Sequence, residues 1–312
     1  MKLGYIGMGK MGFNMVQRLL EKNYTAVVFD KNKDAVKKIS RLGAKPADSL
    51  KSLASALKPP RLVWLMVPHG AVNSALKELM PFLQKGDTVI DGGNSNYKES
   101  MRRAMELQKR GINFLDAGVS GGPPGARNGA CIMVGGKKEL FKKYEKLFKD
   151  LSVKNGYGYM GNSGAGHFVK MVHNGIEYGM MQALAEGFSL MKVSDFNLDL
   201  EKIAGLYSHK SVIESRLTGW LKNAFKKYGR DLKKISGSAA HSGEGLWTVK
   251  EAQKLGIPVP VIKEALKFRV KSQKKPSYAG QILSALRNQF GGHEVKLKRR
   301  IQGVKLNIKR AF

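Results

Sequence analysis

Six residues near the N-terminus constrain this chain more than any other feature: Gly7-Met8-Gly9-Lys10-Met11-Gly12, a G-x-G-x-x-G pattern. An apolar run, residues 3–6, stands directly before it, and an amphipathic stretch, residues 11–22, begins inside it. At such a strand–turn–helix junction the first glycine permits the tight turn and the second lets backbone approach a diphosphate. The third lets helix pack on strand. A diphosphate there meets unpaired N–H groups and the positive end of the helix dipole. Asp30 closes the next apolar run, residues 26–30, where an acid about 20 residues past the turn binds ribose hydroxyls. Gly7, Met8, Gly9, Lys10, Met11, Gly12 and Asp30 are therefore the expected dinucleotide ligands. A carboxylate at position 30 repels a ribose 2′-phosphate, so NAD is preferred; Lys31 and Lys33 leave NADP open.

Short apolar runs alternate with helical stretches to about residue 160. The strand candidates are residues 3–6, 26–30, 62–67, 88–91, 114–116 and 131–134, with amphipathic segments such as 11–22 and 99–109 between them. This alternation predicts an α/β domain of the Rossmann type, a doubly wound parallel sheet with helices on both faces. Beyond Gly161-Asn162-Ser163-Gly164-Ala165-Gly166 the pattern turns helical, at residues 167–192, 200–207, 216–227 and 261–271. The expected division is a dinucleotide-binding domain over 1–162 and an all-helical substrate and dimerisation domain over 163–312. Residues 294–312 form a basic tail.

Charge and cysteine content narrow the function classes. In 312 residues, 55 Lys+Arg against 24 Asp+Glu give a net charge of +31, a surplus that attracts anions, nucleic acid among them. The basic residues are scattered through helical segments, without zinc-finger spacing or an aromatic RNA-binding signature. A solvated basic surface is expected rather than a nucleic-acid function. No run of about 18 apolar residues predicts a membrane span. Cys131 is the single cysteine, which excludes an intramolecular disulfide and a cysteine-based zinc site; no metal is expected. With no leader-like N-terminal pattern, a reducing cytoplasm is the expected setting.

The most informative stretch is Gly164-Ala165-Gly166-His167-Phe168-Val169-Lys170-Met171-Val172-His173-Asn174-Gly175-Ile176-Glu177-Tyr178. On a helix, His173, Asn174 and Glu177 fall within about 60° of Lys170, and Tyr178 within about 80°. One face thus carries an amine, an imidazole, an amide, a carboxylate and a phenol. Val169, Val172 and Ile176 lie opposite, expected toward a core. Spacing alone does not separate a functional face from a solvated one. Gly175 and Gly179 sit mid-helix, each costing about 1 kcal/mol relative to Ala, which points to close approach by a ligand or another helix.

That stretch resembles the catalytic helix of the 6-phosphogluconate dehydrogenases, and other motifs are similar to that family in the same order. Asp91-Gly92-Gly93-Asn94-Ser95 resembles its turn after the fourth strand, where Asn94 would contact cofactor and substrate. Ser120-Gly121-Gly122, within Asp116-Ala117-Gly118-Val119-Ser120-Gly121-Gly122, resembles its substrate loop. Arg287-Asn288-Gln289-Phe290-Gly291-Gly292-His293 resembles its R-x-x-F-G-x-H element. The chain length resembles the family's short form.

The resemblance implies Lys170 as general base toward a sugar-acid C3 hydroxyl, Glu177 as general acid, and Asn174 with His173 as positioning groups. Asn94, Ser120, Gly121, Gly122, Tyr178, Arg269, Arg287 and His293 would complete the substrate site, with Arg269 ending Glu264-Ala265-Leu266-Lys267-Phe268-Arg269. Val67 and Pro68, at the end of the third apolar run, join the cofactor set. The implied substrate is a phosphorylated sugar acid, 6-phosphogluconate. The implied assembly is a homodimer or larger homo-oligomer with a shared site. The alternative is another β-hydroxyacid dehydrogenase, of the 3-hydroxyisobutyrate dehydrogenase or glyoxylate/succinic semialdehyde reductase type.

One motif departs. The family's G-[NQS]-K-G-T-G-x-W is represented by Ala240-His241-Ser242-Gly243-Glu244-Gly245-Leu246-Trp247. Ser242 replaces a substrate-binding lysine and Glu244 a threonine, as in the S-G-E-G-x-W of short-form, often NAD-linked members. Glu244 is not expected on the phosphate.

Overall fold

The computed structural model describes residues 1–241, 243–295 and 297. Ser242 and most of the basic tail lie outside the described residues. The first part of the chain runs β1 (Lys2–Ile6), α1 (Lys10–Glu21), β2 (Thr25–Phe29), α2 (Lys33–Ser40), β3 (Lys45–Pro46), α3 (Leu50–Ser55), β4 (Leu62–Leu65) and α4 (Val72–Leu79). It continues with β5 (Thr88–Asp91), α5 (Tyr97–Gln108), β6 (Asn113–Ser120), α6 (Gly122–Asn128), β7 (Ala130–Gly136), α7 (Lys138–Lys143), α8 (Glu145–Leu151) and β8 (Ser152–Gly161). Helices follow: α9 (Ala165–Val193), α10 (Leu200–Tyr207), α11 (Arg216–Tyr228), α12 (Glu244–Lys254), α13 (Pro260–Ser272) and α14 (Tyr278–Gly291).

The eight strands form one sheet in the order β3-β2-β1-β4-β5-β6-β7-β8. Alternate residues of the central strands face opposite layers, and both are buried, as continuous apolar strands in a parallel sheet require. Leu3, Tyr5, Val28, Trp64 and Ile90 pack with Met15, Val16 and Leu19 of α1 and Phe148 and Leu151 of α8. On the other face Ile6, Val27, Val63, Leu65 and Val89 pack with Leu50 and Leu53 of α3 and Val72, Leu76 and Leu79 of α4.

The expected Rossmann sheet is present, with two details the sequence did not give, and one expectation on α9 needs correction. The sheet is not wholly parallel, because β6 and β7 pair antiparallel. Only residues 121–129 join them, and a parallel return needs a crossover of about a dozen residues or more; Gly121, Gly122 and Gly129 take positive φ values of 118°, 61° and 122° to make the reversal. The edge strands β3 and β8 carried no apolar alternation to announce them: one is a Lys-Pro pair, the other the glycine- and lysine-containing SVKNGYGYMG. Finally, Ile176 does not face a core. It is 53% exposed while Lys170 across the helix is 8% exposed; Val169 and Val172 are half-buried, as are His173, Asn174 and Glu177.

Two compact units emerge. Among the described residues, the first comprises 1–179, 243–266 and 290–292, and the second 180–241, 267–289, 293–295 and 297. A boundary at 162/163 would fall where the sheet ends; compactness instead groups the first half of α9 with the sheet. In the second unit Phe188 stacks near Phe225 and Tyr207, with ring centroids at 5.7 and 6.1 Å. Ile282, Leu283, Ala285 and Leu286 of α14 are fully buried. No helix among the described residues is long and apolar enough to cross a membrane.

Candidate active site

The glycine turn has the geometry a dinucleotide needs. Gly7 has φ of 102°, and a Cβ there would stand 2.3 Å from the Met66 carbonyl oxygen. A Cβ on Gly12 would stand 1.9 Å from the Gly7 carbonyl oxygen, so that glycine lets α1 sit against β1. Around Gly9 a Cβ would meet nothing within 4 Å. Gly9 is also the N-cap of α1, which has no side-chain cap and no acid in its first turn. Open space and uncapped N–H groups suit a diphosphate. Asp30 accepts hydrogen bonds from the Met8 N–H at 2.5 Å and the Asn32 N–H at 2.7 Å, which fixes its carboxylate beside the turn. Val67 borders the same turn, 3.0 Å from where a Gly7 Cβ would lie. The Lys10 ammonium donates to the Gly292 carbonyl.

The helix bearing the reactive groups is clamped to the sheet. Asp116, fully buried on β6, accepts from the Gly164 N–H at 2.6 Å and the His167 N–H at 2.8 Å. It thereby serves the exposed donors of the first turn of α9 and complements its dipole. Approach is close enough to demand glycine: a Cβ on Gly118 would lie 2.4 Å from the Lys170 Cβ, and one on Gly166 2.5 Å from the Met133 carbonyl oxygen. The imidazole of His167 pairs with Ser100 Oγ of α5 at 2.7 Å.

From this fixed start Lys170, Asn174 and His173 come together. Lys170 Nζ donates to Asn174 Oδ1 at 2.7 Å and lies 3.3 Å from His173 Nδ1. His173 Nε2 is 3.1 Å from Ser120 Oγ. His173 Nδ1 also lies 3.1 Å from Asn174 Oδ1, so in a neutral imidazole that nitrogen either accepts from Lys170 or donates to Asn174. Burial lowers the His173 pKa, and the Lys170 charge lowers it further, which favours that neutral form. Glu177 Oε2 stands 4.0 Å from His173 Nδ1. Burial also pushes the Lys170 pKa below the ordinary lysine value, opposed by the charges of Glu177, Glu244 and, least, Cys131. A buried amine whose charged form is disfavoured, beside hydrogen-bonding groups, suits proton removal.

Three surrounding segments hold this cluster. Asp91 accepts from the Gly93 N–H at 3.0 Å, Ser95 Oγ at 2.7 Å and Arg103 at 3.1 Å, so a buried ion pair from α5 shapes the turn presenting Asn94. A Cβ on Gly122 would collide with the Phe290 carbonyl oxygen at 1.9 Å, so the Ser120–Gly122 loop lies directly under residue 290. Helix α12 crosses α9 at its glycine: a Cβ on Gly175 would be 2.6 Å from Thr248 Cγ2, and Thr248 Oγ1 donates to the Met171 carbonyl at 2.8 Å. The mid-helix glycine thus serves a neighbouring helix. The Tyr178 ring packs on Gly245 and with Ala265 and Leu266.

Arg269, Arg287 and His293 belong to the second unit. Arg269 is 2% exposed and its guanidinium lies 3.4 Å from Met181 Sδ. Arg287 is 8% exposed, and the His293 carbonyl accepts from the Asn288 amide at 2.9 Å. Sequence reasoning did not single out Asp116, Arg103 or His167. For Asp116 the signal was present, an acid just before the Gly118 that the helix touches.

Comparison with known proteins decides the family. A family model described as the NAD binding domain of 6-phosphogluconate dehydrogenase matches residues 2–161, and one for its C-terminal domain matches residues 166–288. The chain belongs to the 6-phosphogluconate dehydrogenase family. YqeC of Bacillus subtilis is 47% identical over 298 residues, covering 96% of this chain and all of that one. The NAD(+)-dependent, decarboxylating 6-phosphogluconate dehydrogenase of Haloferax volcanii is 41% identical, covering 96% of this chain and 99% of the relative. Among solved structures, Plasmodium falciparum 6-phosphogluconate dehydrogenase superposes with a TM-score of 0.80 at 30% identity; 88% of this chain matches 62% of that one. A Salmonella typhimurium 3-hydroxyisobutyrate dehydrogenase, at 18% identity and a TM-score of 0.72, shares the fold. The chain is accordingly an oxidoreductase with an NAD(P)-binding domain.

Proposed function

We propose that this enzyme oxidises 6-phosphogluconate at C3 and decarboxylates it to ribulose 5-phosphate, using NAD in preference to NADP. The observation that carries the reading is the buried Lys170 amine, 2.7 Å from Asn174 Oδ1 and backed by His173 and Ser120. Bound nicotinamide supplies the hydride acceptor. Lys170 removes the C3 hydroxyl proton as that hydride departs, which leaves a β-keto acid. The C1–C2 bond then breaks, CO2 leaves, and its electron pair moves onto the C3 ketone oxygen, where the protonated Lys170 stabilises the enolate. Glu177 delivers a proton to the carbon that becomes C1 of the product. Asn174 and His173 hold the C3 hydroxyl and C1 carboxylate against Lys170, with Asn94 and Ser120-Gly121-Gly122 alongside. Tyr178, Arg269, Arg287 and His293 are proposed for the phosphate, since arginine's planar fork suits phosphate oxygens. We further propose a cytoplasmic homo-oligomer.

Paired kinetics with NAD and NADP on 6-phosphogluconate, following CO2 release, test this directly. Absence of turnover with either nucleotide overturns the substrate, and turnover of 3-hydroxyisobutyrate instead would favour the other β-hydroxyacid branch. The preference for NAD rests on Asp30, whose carboxylate is held by the Met8 and Asn32 amides at the turn. Asp30→Ser is expected to narrow the NAD/NADP ratio of kcat/KM by about tenfold or more, the scale of one charge-assisted contact at ~1.5–3 kcal/mol. An unchanged ratio would place selectivity elsewhere.

A further inference from the structure

Glu244, which stands where the family signature has threonine, is 7% exposed and lies in the first turn of α12, where the helix dipole favours a carboxylate. Its Oε1 accepts from the Asn94 amide nitrogen. The helix that carries it cannot drift: Thr248 is bonded to the Met171 carbonyl, Gly245 packs under the Tyr178 ring, and Glu251 pairs with Lys98 of α5 at 2.6 Å. Glu244 and Asn94 therefore meet on a rigid frame beside Lys170.

We propose that Glu244 is a positioning residue of this site, whose carboxylate anchors the Asn94 amide nitrogen and so turns the amide carbonyl outward to accept from a hydroxyl or carboxamide donor of a bound ligand. An unrestrained asparagine presents its donor and acceptor ends interchangeably; a carboxylate accepts only, so it selects one. Threonine, which both donates and accepts, imposes no such choice. A buried acid kept only for packing would leave its carboxylate without this directional task. The inference rests on the proposed reaction for its kinetic readouts, but not for its spectroscopic one.

Lys170 contacts His173 and Asn174 of α9, and the charged groups that act on it are Glu177 of α9, Glu244 of α12 and Cys131 of β7. The negative charge of Glu244 favours the Lys170 ammonium. Removing that charge moves the lysine's titration to lower pH.

The test uses the full chain and four variants, Glu244→Gln, Glu244→Ala, Asn94→Ala and the Glu244→Ala/Asn94→Ala double. Without substrate, the Asn94 side-chain amide protons, assigned from their loss in Asn94→Ala, should shift upfield in Glu244→Ala. Unmoved resonances overturn the proposal whatever the substrate proves to be. With 6-phosphogluconate and NAD, Glu244→Gln, whose amide donates as well as accepts, should raise one KM, by less than Glu244→Ala does, while the acid limb of the kcat/KM profile moves to lower pH. Glu244→Ala should cost about tenfold in kcat/KM, the order of one charged hydrogen bond. A rise confined to the KM for NAD identifies the carboxamide as the donor, and one confined to the sugar acid identifies a hydroxyl. The Glu244→Ala/Asn94→Ala double variant should lose little more than either single one. Fully additive losses with an unmoved pH profile overturn the proposal. Wild-type inactivity on 6-phosphogluconate would count against the proposed function alone, leaving the amide shift to decide the role of Glu244.

Discussion

Lys170→Met is expected to lower kcat by about 10³-fold or more while leaving NAD affinity nearly intact. Two contributions are lost together: proton removal from the C3 hydroxyl, where a positioned base is worth roughly 10²–10⁴-fold, and the cation that meets the developing enolate. Methionine fills much of the space, so the 8% exposed position stays packed. The nucleotide turn at Gly7–Gly12 is a separate element and keeps its ligands. Stopped-flow measurement of NADH formation, with NAD binding by fluorescence on the same sample, separates chemistry from binding. Substantial surviving turnover would remove the amine from the mechanism. In the wild type, burial disfavours the ammonium, so the fraction of neutral amine at a given pH exceeds that of a free lysine. The acid limb governed by Lys170 should accordingly lie below the ordinary value near 10.4.

The parts of this fold legible in sequence were those whose local chemistry is demanding. The strand–turn–helix at Gly7–Gly12 needs three glycines for three separate contacts, and each is accounted for in the structure by a close backbone approach or by open space. Strand β5 and helix α10 fall on the expected residues because an apolar run and a clear helical period bound them. What the sequence hid depends on distant partners. Strand β8 lies at a sheet edge, where exposure removes the apolar alternation that marks a strand. The reversal at β7 comes from the short connection with its glycines at 121, 122 and 129, whose effect on strand direction apolar patterning does not show.

The orientation of α9 is the instructive case. Amphipathicity argued that Val169, Val172 and Ile176 face inward, yet Ile176 is exposed, both valines are half-buried, and it is the Lys170 amine that is buried. If Lys170 is the proposed base, its desolvation is what the reaction needs, and the helix meets that by burying the amine while leaving Ile176 exposed. Hydrophobic patterning reads stability and is blind to that need. Glu244 was hidden for a related reason: aligned against a pattern it is only a substitution, and its meaning lies in the Asn94 amide that it holds.

Gly118→Ala should show how far activity depends on the seating of α9. The added methyl carbon would sit 2.4 Å from the Lys170 Cβ and 3.0 Å from the Gly166 carbonyl oxygen. Neither neighbour is the far end of a flexible side chain. Asp116, two residues away on the same strand, holds the start of the helix through the Gly164 and His167 amides, so the helix cannot yield without straining those bonds. Overpacking of this kind costs about 1–3 kcal/mol, which a two-unit chain with a buried sheet survives. A displacement of about 1 Å at the reacting groups costs roughly 10²-fold in rate. The expected result is a folded protein, with unchanged far-UV circular dichroism and a lowered Tm, whose kcat falls by about 10²-fold while NAD still binds. If kcat instead stays within threefold of wild type, α9 can give way at its first turns without disturbing the amine, and the clamp between β6 and the helix has no part in placing Lys170.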